Sequence, residues 1–216
     1  MSNTQSRRPL KVRSTTWSKN IATYLSKKNI TPNQISIASI FFSILSALCI
    51  LFIPDATSFD IWLYSILSAI FIQMRLLCNL FDGMVAIEGG KNTNSGELYN
   101  DIPDRVSDSI LFIALGYAIS HIDLGYLAAL FAIMTAYVRV LGASMHAGSI
   151  FKGPMAKQHR MAILTIGLLL TPIEIIFFEQ FYLLYIVLVI ITIGSLITVL
   201  NRIYTIYRTL EDKNNV

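Results

Sequence analysis

Apolar residues run along this chain in six long blocks, each parted from the next by a short polar stretch. The blocks approach or exceed the ~20 residues that a helix needs to cross the hydrocarbon core of a bilayer. They predict helical spans over roughly 33–53, 60–87, 97–120, 124–148, 158–175 and 179–207. The segment ahead of them, STTWSKNIATYLSKKN, has another rhythm: Trp17, Ile21, Tyr24 and Leu25 fall at i, i+4, i+7 and i+8, with Lys19 and Lys27 elsewhere on the wheel. That spacing predicts an amphipathic helix lying on a membrane surface. ITPN then breaks it, with Thr31 placed to cap and Pro32 suited to the first helical position. With no internal repeat or low-complexity tract, the expectation is one all-α polytopic membrane domain. A basic arm and surface helix occupy 1–31, the six-helix domain 32–208, and a frayed polar tail 209–216.

Composition supports the membrane reading. Hydrophobic residues make up 54% of the 216 and charged residues only 14%, against roughly 25% charged in an ordinary soluble domain. Mean hydropathy is +0.59. Cys49 and Cys78 fall inside predicted spans, where they read as packing residues, and His121, His146 and His159 form no ligand-spaced pair. Both facts argue against a disulfide or zinc chemistry.

Charge then sets an orientation. Before Asp55 the chain carries seven Lys and Arg and no acidic residue. A short basic arm ahead of a membrane domain points to anionic lipid as its partner rather than nucleic acid. No small-residue cleavage site follows a short apolar core, so no removable signal peptide is expected. The connections PDATSFD, HIDLG and IEIIFFEQF contain no Lys or Arg, whereas Lys91, Lys152, Lys157, Arg160, Arg202, Arg208 and Lys213 share the other side. The positive-inside rule puts both termini in the cytoplasm, in a bacterial inner membrane.

One stretch does not fit a purely lipid-facing chain. NLFDGMVAIEGGKNTNSGELYNDIPDRVSDS, Asn79 to Ser109, holds six of the thirteen acidic residues. A charge near a bilayer centre costs about 2.5–3.5 kcal/mol on insertion scales. Residues four apart share a helical face, so Asn100, Asp104 and Asp108 form a stripe with Glu97 and Asp101 beside it. Asn79 and Asp82 share a face near the end of the preceding span, and Gly83 and Ala86 continue it with almost no side chain. Glu88, Glu97 and Asp101 also read simply as a solvated loop and the acidic start of a helix. Asp82, at the far end of an apolar helix, and Asp108, two turns inside one, do not. Two facing stripes of oxygen atoms are what a hard divalent cation such as Mg²⁺ requires.

These residues resemble the signature of the CDP-alcohol phosphotransferases, membrane enzymes of phospholipid synthesis. That pattern is Asp, two residues, Asp-Gly, two residues, Ala-Arg, about eight residues, Gly, three residues, Asp, three residues, Asp. The frame here is Asn79-x-x-Asp82-Gly83-x-x-Ala86-Ile87, eight residues, Gly96-x-x-x-Asn100-x-x-x-Asp104, in which every spacing matches. The six spans, the surface helix and ITPN are also similar. The resemblance implies transfer of a phosphatidyl group from CDP-diacylglycerol to an alcohol with release of CMP, and a homodimer, which is common among such enzymes. It implies Mg²⁺ or Mn²⁺ at the positions of Asn79, Asp82, Asn100 and Asp104, with Asp104 as general base. Gly83, Ala86 and Gly96 then admit the nucleotide, and Arg139, Lys157 and Arg160 bind an acceptor that is itself phosphorylated, such as glycerol 3-phosphate or an inositol phosphate.

Three positions depart from the pattern: Asn79 and Asn100 stand for aspartates and Ile87 for arginine. An asparagine carbonyl ligates a hard cation without neutralising it, so the frame supplies two formal charges rather than four. Either one metal ion suffices, or Asp101 or Asp108 supplies further charge, with Pro103 bending the helix so as to turn Asp101 inward. Lys157 also reads as an ordinary cytoplasmic anchor, and Arg75 and Arg105 as partners of the acidic cluster. Two other readings stand beside the enzyme: a relative that binds lipid or nucleotide without turnover, and a small transporter using intramembrane carboxylates. Absence of an inverted repeat argues against the transporter.

Overall fold

The computed structural model describes residues 15–88, 90, 95–178 and 182–214. Among these all regular secondary structure is helical: α1 (Thr16–Lys27), α2 (Pro32–Phe52), α3 (Ser58–Glu88), α4 (Gly96–Ala118), α5 (Ile122–Ser144), α6 (Lys157–Phe178) and α7 (Tyr182–Asn214). Five of them, α2, α3, α5, α6 and α7, are long and apolar enough to cross a membrane, and the chain is an integral membrane protein. The sequence led us to expect six such segments. α4 has the length, 23 residues, but its first thirteen carry Glu97, Asp101, Asp104, Arg105 and Asp108.

Local chemistry accounts for several boundaries. At α2 the Thr31 hydroxyl accepts from the Gln34 N–H while the Gln34 side chain accepts from the Thr31 N–H, with Pro32 at the first helical position. The fourth expected span ran to residue 148, but α5 stops at Ser144, where His146 and Gly148 take positive φ and turn the chain towards α6. α7 continues through Asn214, into the polar tail. The loop residues 91–94 and 179–181 and the arm before residue 15 lie outside the described residues.

Helix contacts close a ring. α2 packs on α3, α3 on α6, α6 on α7, α7 on α5, α5 on α4, and α4 returns to α2, while α1 lies against α3. The α2–α3 approach depends on serines at helical spacing. Ser36, Ser39, Ser43 and Ser46 are all buried, and the Ser46 and Ser68 hydroxyls lie 2.8 Å apart. Small polar residues let helix backbones come close in lipid while hydrogen-bonding one another. At α1, Ser18 and Ala22 are buried, and the Trp17 ring meets Phe81 edge-on, 6.1 Å between centroids. The outer stripe of Trp17, Ile21 and Tyr24 stays exposed.

The α4–α5 turn depends on two glycines. A Cβ on Gly116 would stand 2.8 Å from the Gly125 Cα, and one on Gly125 2.8 Å from the Phe112 carbonyl oxygen. Backbone cannot swing aside as a side chain does. Gly116→Ala is therefore expected to cost about 1–3 kcal/mol, read as a lower melting temperature in detergent with the helical circular-dichroism signal intact. An unchanged melting temperature would contradict this packing.

Inside the ring the core changes character along its length. One end is apolar, built from Ile61, Ile72, Phe112, Leu115, Leu164 and Leu168 among others. At the other end, where α3 finishes and α4 and α6 begin, the buried residues include the charged Arg75, Asp82, Asp104, Asp108 and Arg160.

Candidate active site

Three helix ends meet in this polar region. The last turns of α3 bring Asn79, Asp82, Gly83 and Ala86, the first turns of α4 bring Asn100, Asp101, Asp104 and Asp108, and α6 opens on Lys157 and Arg160.

Asp82 is buried and held at both oxygens. The Ser36 hydroxyl of α2 donates to Oδ2 at 2.7 Å, and the Gly83 N–H donates to Oδ1 at 2.5 Å. Asp104 is buried but half satisfied. Its Oδ2 takes Lys157 Nζ at 2.5 Å and has Arg105 Nη2 at 3.5 Å. Its Oδ1 receives no hydrogen bond, the nearest guanidinium nitrogen, Arg75 Nη2, standing 3.8 Å away. Asp82 lies within electrostatic reach of both Asp104 and Lys157. Beside them, both polar atoms of the Asn79 amide are buried without a partner.

Asp108 is engaged differently. Arg75 Nη2 meets its Oδ1 at 2.6 Å and Arg160 Nη2 its Oδ2 at 2.7 Å, with all three side chains withdrawn from solvent. Arg160 also donates to the Met155 carbonyl at 3.0 Å. This triad joins α3, α4 and α6 at their meeting point and leaves neither Asp108 oxygen open. Asp101 is engaged as well: Arg139 Nη2 reaches its two oxygens at 3.2 and 2.9 Å, tying α4 to α5, with both side chains partly exposed. Pro103 sits inside α4, and Asp101 faces α5 rather than Asp104. Asn100 is exposed.

The structure thus gathers Asn79, Asp82, Asp104 and Lys157, and directs Asp101, Asp108, Arg139 and Arg160 into ion pairs of their own. Arg75 and Arg105 are partners of the acidic cluster, as their sequence reading has it. Two contributors escaped that reading. Ser36, which holds Asp82, belongs to a serine stripe whose 3-and-4 spacing signals close packing. Buried Arg202 of α7 donates to the carbonyls of Thr135 in α5 and Lys152 in the α5–α6 connection, the second at 3.1 Å. Its signal was a guanidinium inside an apolar helix.

Among the described residues no three His, Cys, Asp or Glu side chains are grouped to hold a metal. Oxygen atoms of the kind a hard cation takes are nevertheless present. Asn79 Oδ1 and Asp104 Oδ1 are buried and lack donors, and the Asp82 carboxylate stands within electrostatic reach of Asp104. Oxygen-only donor sets favour hard divalent cations over softer ones.

No family model matches the sequence. The chain is 27% identical over 141 residues to the inner membrane protein YnbA of Escherichia coli, covering 65% of this chain and 67% of that protein. It is 28% identical over 190 residues to the archaetidylinositol phosphate synthase of Pyrococcus horikoshii, covering 87% and 89%. Among solved structures it is similar to the phosphatidylinositol phosphate synthase of Mycobacterium tuberculosis with CDP-DAG bound, at a TM-score of 0.68 and 19% identity over 88% of this chain and 93% of that one. A crystal structure of that synthase in complex with manganese and citrate superposes equally well. At such identity the likeness establishes a shared fold.

Proposed function

We propose that this chain is a CDP-alcohol phosphatidyltransferase, which passes the phosphatidyl group of CDP-diacylglycerol to an alcohol and releases CMP. One observation carries the reading. Asp82 and Asp104, the two aspartates retained in the signature frame, are brought within electrostatic reach of each other beside an unsatisfied Asn79. The shared fold with a synthase crystallised with CDP-DAG supports it.

In the reaction the acceptor hydroxyl attacks the phosphorus bearing the diacylglycerol, a new P–O bond forms, and the bond to CMP breaks. Asp104 Oδ1, free of donors, is the base that receives the hydroxyl proton as attack proceeds. Asn79 and Asp82 are the residues that would hold Mg²⁺ or Mn²⁺, with the negative charge of Asp104 beside them. When bound, the ion supplies charge neutralisation to the pyrophosphate and the leaving CMP. Gly83 and Ala86 leave room for the nucleotide against α3, and Gly96 does so at the start of α4. Lys157 and Arg105, neither of them wholly buried, are the cations nearest Asp104, whereas Arg139 and Arg160 act through the carboxylates they orient. The acceptor is a phosphorylated polyol; both synthases above carry an inositol phosphate in their names.

The site lies on the cytoplasmic side of a bacterial inner membrane, with α4 as a sixth crossing. α1 rests on the surface, its exposed Trp17, Ile21 and Tyr24 set into the headgroups, and the chain works as a homodimer. A binding protein without turnover is the second reading, favoured by Asn79 and Asn100. The test uses purified protein, labelled CDP-diacylglycerol, Mn²⁺ or Mg²⁺ and a panel of free and phosphorylated alcohols. CMP release that requires both metal and acceptor is expected, with chelator abolishing it. No release with any acceptor would overturn the enzyme in favour of the binding protein.

A further inference from the structure

We infer that Lys157 is a built-in cation that takes the place of a second divalent ion, so that the site binds a single Mg²⁺ or Mn²⁺. The inference rests on the metal site proposed above and deepens it.

Charge is the first ground. Two carboxylates, Asp82 and Asp104, balance one divalent ion. Among the described side chains, the acidic residues that could balance another are committed elsewhere, Asp101 to Arg139 and Asp108 to Arg75 and Arg160. A second divalent ion would meet amide oxygens and an excess of positive charge.

Placement is the second ground. Lys157 is the first residue of α6, where the helix macrodipole favours anions and disfavours an ammonium. It is nevertheless largely buried there, with Nζ 2.5 Å from Asp104 Oδ2 and within electrostatic reach of Asp82. A cytoplasmic anchor would extend into water. This one turns inward to bond Asp104 and lies within electrostatic reach of Asp82, while Asn79 Oδ1 stays without a donor for the remaining ion. An ammonium at this point neutralises phosphoryl oxygens without needing ligands of its own.

A Mn²⁺ titration of the full-length protein in detergent, with free Mn²⁺ counted by its electron paramagnetic resonance signal, tests this without reference to turnover. The wild type should bind one ion per chain. Lys157→Gln should still bind one, about tenfold more tightly, because a neighbouring positive charge has gone, while any CMP release falls. Opposite movement of affinity and turnover is not what a merely structural lysine would give. Adding Asn79→Asp and Asn100→Asp to Lys157→Gln should admit a second ion, and Lys157→Arg, which keeps the charge and guards against misfolding, should behave as wild type. Two ions or none in the wild type, unchanged or weaker binding in Lys157→Gln, or a triple variant that still holds one ion would each overturn the inference. A chain that binds a single Mn²⁺ in this manner yet releases no CMP would leave the inference standing and sink the proposed activity.

Discussion

Asp108→Asn is expected to leave the protein unable to fold stably in detergent, with loss of the monodisperse species and of any cooperative melting transition. The carboxylate is the shared partner of Arg75 and Arg160, at 2.6 and 2.7 Å, and both guanidinium groups are inaccessible to water. Two cations beside one anion already leave the cluster with a positive excess that Asp104, 3.8 Å from Arg75, only partly offsets. Removing one partner of a buried ion pair typically costs about 3–5 kcal/mol, because the remaining charge is stranded. Here two charges would be stranded at once, against a total stability on the order of 5–15 kcal/mol for a typical folded protein. The compensated variant Arg75→Met/Asp108→Leu/Arg160→Met, which removes all three charges, should recover much of the melting temperature. Should Asp108→Asn melt like the wild type and instead lose Mn²⁺, Asp108 would be a metal ligand after all and the triad reading would fail.

That contrast shows what one sequence conveys about a charged residue. Helical spacing correctly put Asp104 and Asp108 on one face of α4, and both are buried. It could not say what each would meet, because the partners of Asp108 come from 33 and 52 residues away along the chain. The four-residue step between them carries one carboxylate from the oxygen-lined site into an arginine clamp. The partner of Asp101 is hidden for a related reason: Arg139 belongs to α5, and pairing between helices leaves no trace in local periodicity. The helices themselves were legible since hydropathy of this strength and length admits one solution in lipid, a backbone that satisfies its own hydrogen bonds. Their ends were harder wherever a tertiary turn, not a cap, sets the boundary, as at His146 and Gly148. The identity of Asn79 was plain in the sequence, whereas its burial without a partner, which makes it a candidate ligand and not a surface amide, emerges only once α3, α4 and α6 are assembled.

Asp104→Asn should reduce metal-dependent CMP release by about 10²–10⁴-fold, the range over which a positioned acid or base contributes, while the protein stays folded. The substitution keeps the shape and removes the charge. It takes away the base that receives the acceptor proton, and it halves the negative charge that Asp82 and Asp104 together offer a cation, so Mn²⁺ binding should weaken alongside turnover. The fold should tolerate it where it does not tolerate Asp108→Asn, because the cations on Asp104 are less confined. Lys157 and Arg105 keep roughly a fifth of their side-chain surface exposed, 23% and 22%, and can turn to water, and Arg75 retains Asp108. A melting temperature close to wild type together with lost activity therefore separates chemistry from scaffolding at two aspartates one helical turn apart. If Asp104→Asn turned over CDP-diacylglycerol at the wild-type rate, the proton would have to leave by another route, and the role assigned to Asp104 Oδ1 would be untenable.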